Sequence, residues 1–86
     1  SDLMALGALR VLAELGRRVP DDIAVVGFDD LGVAERTTPA LTTVRQPVDE
    51  MAERATRLLL ERVDDPGSSR PMRVIIPPTL VRRASA

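Results

Sequence analysis

The 86-residue sequence contains no cysteine, no histidine and no lysine, and its only aromatic residue is a single phenylalanine. Without Cys and His, disulfides, thiol catalysis and the usual zinc sites are excluded. With Phe28 as the only ring, Leu, Val, Ile, Met and Ala must supply the burial, at roughly 1.5–3 kcal/mol per fully buried large aliphatic side chain. Such a thin core suits helix-on-sheet packing, and this length allows one small domain or a piece of a larger one. Long apolar runs are also absent. No segment approaches the ~20 residues that span a bilayer, and the first residues lack the basic and apolar regions of a secretory signal. A soluble, cytoplasmic protein is expected. Nor is there an excess of charge of one sign: twelve Arg stand against thirteen Asp plus Glu, for a net charge of -1. No overall positive field draws the chain to nucleic acid or an anionic membrane, so DNA binding by this chain alone is not expected. The exclusive use of Arg is read as lineage bias and carries no functional weight.

Ser1 and Asp2 are both competent helix caps, and residues 3–15 read as a helix ended by Gly16. Met4, Ala8, Val11, Leu12 and Leu15 form one stripe, expected to face a sheet, while Leu6, Leu9 and Ala13 fall on the other side. The second stripe implies burial against more of the same fold or a partner subunit; a few exposed leucines on an Ala-rich helix are the plainer alternative. Residues 23–28 are short, continuous and β-branched, as in a strand buried on both faces of a parallel sheet. The helix and this strand make the second half of a β-α-β unit, and the chain is expected to be a fragment of a doubly wound domain. Residues 31–36 read as a turn or two of helix and 42–45 as a short strand. Residues 48–63 show helical spacing, with Glu50–Arg54, Glu53–Arg57 and Arg57–Glu61 four apart. Residues 64–69 read as a loop, and 72–76 and 80–83 as strands separated by Pro77-Pro78.

In open parallel sheets, ligands bind beyond the carboxyl ends of the strands, where Ala24-Val25-Val26-Gly27-Phe28 runs into Asp29 and Asp30. A carboxylate there accepts two hydroxyl or N–H donors, and Gly27 lets another group come close. The competing reading makes one of the two acids, above all Asp30, a cap for the short helix at Leu31. Acidic pairs at strand ends also hold magnesium in phosphoryl transfer. Here no second acidic strand end, phosphate-cradling glycine loop or Lys supports that chemistry, and no His, Cys or Tyr serves as acid, base or nucleophile. The chain is not expected to be an enzyme, and it calls for no cofactor or metal.

Several motifs in order resemble the C-terminal part of the effector-binding core of lactose-repressor (LacI/GalR) family transcription regulators. They are Asp2 with Met4-Ala5-Leu6-Gly7, Val19-Pro20 with Asp22-Ile23, Val26-Gly27-Phe28-Asp29-Asp30, Pro39-Ala40-Leu41-Thr42-Thr43-Val44-Arg45-Gln46-Pro47 and Leu80-Val81-Arg82-Arg83. The resemblance implies an α/β fold: a fragment of a periplasmic-binding-protein-like (type I) core of two parallel-sheet subdomains, with a sugar, nucleobase or similar effector between them. It would place residues 1–46 in the C-terminal subdomain, 47–76 in the N-terminal subdomain, and 77–86 in a C-terminal return strand. Asp29 matches the family's effector-contacting aspartate, and Ser1 stands where many members carry an Asn that touches ligand. Gln46 and Val48 lie near the crossover facing the cleft. The same likeness puts Leu6, Leu9, Arg10 and Ala13, with Val33, Arg36 and Thr37, in a homodimer interface. Exchange of segments between chains stays open beside a native-like dimer. Operator DNA would be bound only through a helix-turn-helix headpiece to which no residue here corresponds. A periplasmic sugar-binding protein of the same fold, or a stand-alone interaction module, is the rival reading.

Overall fold

The computed structural model describes residues 1–67 and 73–86. Ser1 opens the first helix, α1 (Asp2–Glu14): its Oγ accepts the Met4 N–H at 3.2 Å, and Asp2 places a negative charge in the first turn, where the helix dipole favours it. At the far end Gly16 adopts φ 71°, and the N–H groups of Gly16 and Arg17 bond back to the carbonyls of Ala13 and Leu12. This left-handed terminus is the kind that favours glycine.

The buried face of α1 consists of Asp2, Ala5 and Leu9. That corrects the rotation inferred from the apolar stripe: Met4, Ala8, Val11 and Leu15 are exposed and Leu12 is half-buried. Leu9, assigned from the pattern to a partner-facing side, is only 6% exposed and joins Ala5, Ala34 and Leu41 in the core, with Val19 and Val25 packed against them. Apolar residues surround most of α1, so hydrophobicity alone does not choose its rotation.

Two units make up the chain, Ser1–Gln46 with Pro78–Ala86, and Pro47–Pro77. In the first, β1 (Thr43–Arg45) pairs antiparallel with β2 (Thr79–Val81), Thr43 opposite Val81 and Arg45 opposite Thr79. On the other edge of β1 runs the segment expected as a strand over 23–28. It makes two isolated parallel bridges, Val26 with Thr42 and Asp29 with Arg45, rather than a continuous strand. Nor is it buried on both faces: Ile23, Val26 and Phe28 are exposed, whereas Gly27 is buried and Val25 half-buried. The covered side is the one under α1 and Leu41, so the continuous apolar run reports two faces of which the described residues cover one.

Ser85 locks this layer. Fully buried, it donates from Oγ to the Val25 carbonyl at 2.6 Å, accepts the Thr42 N–H at 2.8 Å, and uses its own backbone to bond Val25 and Ala40. The short helix expected over 31–36 is a single 3-10 turn, Val33–Glu35, whose cap is Gly32.

The second unit is carried by α2 (Val48–Asp64), with Asp49 and Glu50 in its first turn, where the dipole favours negative charge, and Arg62 in its last turn between Glu61 and Asp64. Exposed pairs Glu53–Arg57 at 3.0 Å and Glu50–Arg54 at 3.8 Å add a few tenths of a kcal/mol each. Met51, Ala55 and Leu58 line a hollow of about 210 Å³ with Arg54, Val74 and Ile76. Residues 73–76, read as part of a strand, form none, and Met72 lies outside the described residues, as do Ser68 and Ser69 of the expected loop.

Candidate functional site

The site is built where the 23–28 segment ends. Asp2 at the start of α1 donates its backbone N–H to the Phe28 carbonyl at 3.1 Å, which docks the helix terminus on the segment's end. Its carboxylate, buried with the residue 3% exposed, accepts the Thr43 hydroxyl on Oδ1 at 2.6 Å and the Asp30 N–H on Oδ2 at 2.8 Å. Both oxygens of a buried carboxylate are thereby satisfied, as burial requires. Ser1, not Asp2, is the helix cap.

Gly27 makes room for this arrangement. A Cβ at that position would run into Asp2 Oδ1, lie 2.7 Å from Leu41 Cδ2 and 3.2 Å from Thr43 Oγ1. The group that comes close to Gly27 is therefore a side chain of the same chain, not a ligand.

Beyond Phe28 the backbone turns through two non-glycine residues with positive φ, Asp29 at 122° and Asp30 at 57°. Conformations of this kind cost of order 1–3 kcal/mol each and persist only where surrounding contacts over-determine them. Those contacts are present. Asp29 N–H donates to the Val44 carbonyl at 2.8 Å, and the Asp30 N–H is held by Asp2. The Asp30 carboxylate, its side chain 2% exposed, accepts Arg83 Nη1 on Oδ1 at 2.9 Å and Arg45 Nε on Oδ2 at 2.8 Å. The hydrogen bond from Arg83, aided by Arg45 and opposed by burial, holds the Asp30 carboxyl below its ordinary value. Arg83 is raised in turn, first by its bond to Asp30, and it also donates to the Leu41 carbonyl at 3.0 Å and approaches Glu35 at 3.6 Å. Asp30 is thus an ionic anchor and caps no helix.

Asp29 is oriented differently. Its Oδ1 accepts Gln46 Nε2 at 2.7 Å, and the residue lines a cavity of about 210 Å³ together with Ser1, Asp2, Leu3, Leu31 and Val33. Of the sequence-expected ligand contacts, the structure brings Ser1 and Asp29 to one cavity, while Gln46 meets it only through Asp29. Val48 opens α2 in the second unit. Among the described residues no group of His, Cys, Asp or Glu side chains is placed to hold a metal ion, and no helix is long and apolar enough to cross a membrane.

The residues read as a dimer face separate into two groups. Leu6 and Arg10 line a shallow hollow of about 400 Å³ on the outer side of α1 with Leu3 and Gly7; Ala13 and Arg36 are exposed and Val33 is half-buried. Leu9 and Thr37 do not belong with them. Leu9 fills the core, and the buried Thr37 hydroxyl lies 3.2 Å from the Ala34 carbonyl and 2.8 Å from that of Pro39, so neither side chain is presented outward.

Asp2, Thr43 and the ionic roles of Arg45 and Arg83 escape sequence reasoning. The available signal was small: a carboxylate one residue after a competent cap is surplus to capping, and the glycine before the acidic pair leaves space for it.

Comparison with known proteins agrees with this geometry. The family model for the periplasmic binding protein-like domain matches residues 1–86. The HTH-type transcriptional regulator CelR of Thermobifida fusca is 47% identical over 85 residues, 99% of this chain and 25% of that protein. The HTH-type transcriptional regulator MalR of Streptomyces coelicolor is 45% identical over 86 residues, 100% of this chain and 25% of that one. Among solved structures, the transcriptional regulator CelR–cellobiose complex superposes with a TM-score of 0.92 at 46% identity, covering 100% of this chain and 26% of the other. A LacI family transcriptional regulator from Arthrobacter sp. FB24 in complex with lactose gives 0.87 at 36% identity, covering 99% and 32%. The chain spans about a quarter of the length of the curated relatives it matches, which are transcriptional regulators rather than enzymes, and its α/β units correspond to part of their core. Matched from end to end by that family model and over its whole length by such regulators, this chain belongs to the periplasmic binding protein-like domain family, in the form that domain takes in LacI-family transcription regulators.

Proposed function

We propose that residues 1–86 are part of the effector-binding core of a sugar-responsive transcription regulator, in which Asp29 accepts hydroxyl donors of a small neutral ligand. The observation that carries this reading is the Asp29 carboxylate, held at Oδ1 by Gln46 and lining a cavity with Ser1. The residues that line the cavity are Ser1, Asp2, Leu3, Asp29, Leu31 and Val33, and with the Asp2 carboxylate committed to Thr43 and the Asp30 N–H it is Asp29 that supplies the charge, which disfavours anionic ligands and suits hydroxyl donors. The sugars named in the related structures, cellobiose and lactose, have this chemistry.

On this reading, residues 1–46 belong to the C-terminal subdomain, 47–76 to the N-terminal one and 77–86 to the return strand, with Gln46 and Val48 near the ligand. The outer face of α1, with Leu6, Arg10 and Ala13, and the neighbouring Val33 and Arg36 meet a second copy. A cytoplasmic regulator would bind its operator through a headpiece outside this segment, and the ligand would act by shifting two arrangements of the dimer.

Isothermal calorimetry on the regulator that carries this segment tests the ligand site, with cellobiose, lactose and ribose as probes. Binding of at least one sugar by the wild type, weakened tenfold or more by Asp29→Ala, is expected, since a hydrogen bond to a charged group contributes about 1.5–3 kcal/mol. No binding of any of the three, or equal affinity in the variant, overturns the reading.

A further inference from the structure

We propose that Gln46 is a positioning residue, acting through Asp29 rather than on the ligand. The proposal rests on the reading of Asp29 given above and adds what aims its carboxylate. Gln46 directly follows β1, and the parallel bridge between Asp29 and Arg45 brings its side chain beside the strand end. Its Nε2 donates to Asp29 Oδ1 at 2.7 Å. Asp29 lines the 210 Å³ cavity and Gln46 does not. Among the described residues the Gln46 amide is the one donor bonded to the Asp29 carboxylate, on Oδ1, and Oδ2 has no hydrogen-bond partner.

The Asp29 backbone sits at φ 122°, a conformation that persists only where surrounding contacts hold it, and the Gln46 amide is one of those contacts. The other charged groups around it are committed elsewhere: Asp2 to Thr43 and the Asp30 N–H, and Asp30 to Arg45 and Arg83. Gln46 is the neutral donor of the set. A second carboxylate in its place would repel Asp29 when ionised and could replace the amide N–H only when protonated.

The test compares the sugar affinity of wild type, Gln46→Leu, Gln46→Glu and Asp29→Ala in the regulator, by calorimetry at about pH 5 and about pH 7.5, with whichever of cellobiose, lactose or ribose binds the wild type. Gln46→Leu should weaken binding about tenfold at both pH values, because the ligand must then pay for orienting a carboxylate that the amide holds in place beforehand. Gln46→Glu should weaken it about a hundredfold at the higher pH and recover to within tenfold of wild type at the lower, as the paired carboxyls share a proton. A merely structural role would not produce that pH-dependent ratio. Affinity unchanged in both Gln46 variants while Asp29→Ala loses binding overturns the positioning role and leaves the Asp29 site standing. A Gln46→Glu deficit equal at both pH values also overturns it. Unchanged affinity in Asp29→Ala, or no sugar bound by wild type, overturns the underlying reading and this proposal with it.

Discussion

Asp30 and Arg83 lie 53 residues apart in sequence and meet at 2.9 Å between Oδ1 and Nη1. The other oxygen of the same carboxylate holds Arg45. One acid therefore ties the end of β1 and the segment after β2 to the turn that presents Asp29, and the strain of that turn is offset by long-range ionic contacts rather than by local ones.

Acid should weaken the first unit through this anchor. The Asp30 carboxyl is held below its ordinary value of 3.8 in the fold, so its contribution to stability is fully present above that value and is lost as pH falls through the folded one. Thermal unfolding followed from about pH 6 to about pH 2.5 should show a midpoint that declines at the acid end in wild type. In Asp30→Asn the midpoint should start lower and decline less.

The two arginines should contribute unequally. Arg83 has a side chain 14% exposed and Arg45 one 54% exposed, so solvent screens the second pair far more. Arg83→Met is expected to cost roughly 2–3 kcal/mol, because it leaves Oδ1 of a buried carboxylate and the Leu41 carbonyl without their donor while Arg45 still holds Oδ2. Arg45→Met should cost under about 1 kcal/mol. Urea denaturation of the two variants checks the order, and equal costs would show that burial does not set it.

Gly27→Ala should destabilise by about 2–4 kcal/mol, since its methyl meets the Asp2 carboxylate and Leu41. Asp2→Ala removes one of the obstructing groups. The double variant should therefore lose less than the two single losses added together, by about 1 kcal/mol or more. Additive losses in a double-mutant cycle would mean that Gly27 and Asp2 are energetically independent.

Leu9 and Leu6 separate folding from association. Leu9→Ala empties part of a core of few residues and should cost about 2–4 kcal/mol. Leu6, 39% exposed, should tolerate Glu with its helix content intact. If the outer face of α1 meets a second copy, Leu6→Glu lowers the mass measured by light scattering while the circular dichroism stays that of wild type. An unchanged mass would exclude that face as the subunit contact.

The helix termini were legible because capping is local. Ser1 and Gly16 each act within one turn, and the spacing of apolar residues over α2 is unambiguous. The rotation of α1 was not legible. Leu3, Met4, Leu6, Leu9, Val11, Leu12 and Leu15 are spread over most of its circumference, and the choice is made by a carboxylate, Asp2, bonded to Thr43 and the Asp30 backbone. Residues 23–28 read as doubly buried because an apolar run carries no mark of which neighbours are present. Asp29 could be singled out as a candidate from its place after an apolar run, and it does line a cavity with Ser1. Its partner Gln46, 17 residues away, and the Asp30–Arg83 pair depend on register between distant segments, which no local pattern encodes.

Ser85 gives the first unit an order of assembly during synthesis. Its hydroxyl and backbone join Val25, Ala40 and Thr42, yet residues 47–77 emerge from the ribosome between those positions and Ser85 itself. At about 5–20 residues per second, α1, the Asp29 turn and β1 wait roughly 2–8 seconds for the residue that closes their layer. Throughout that interval Val25 and Thr42 lack the partner that satisfies them in the finished fold, and the nascent chain presents an open sheet edge to whatever lies nearby.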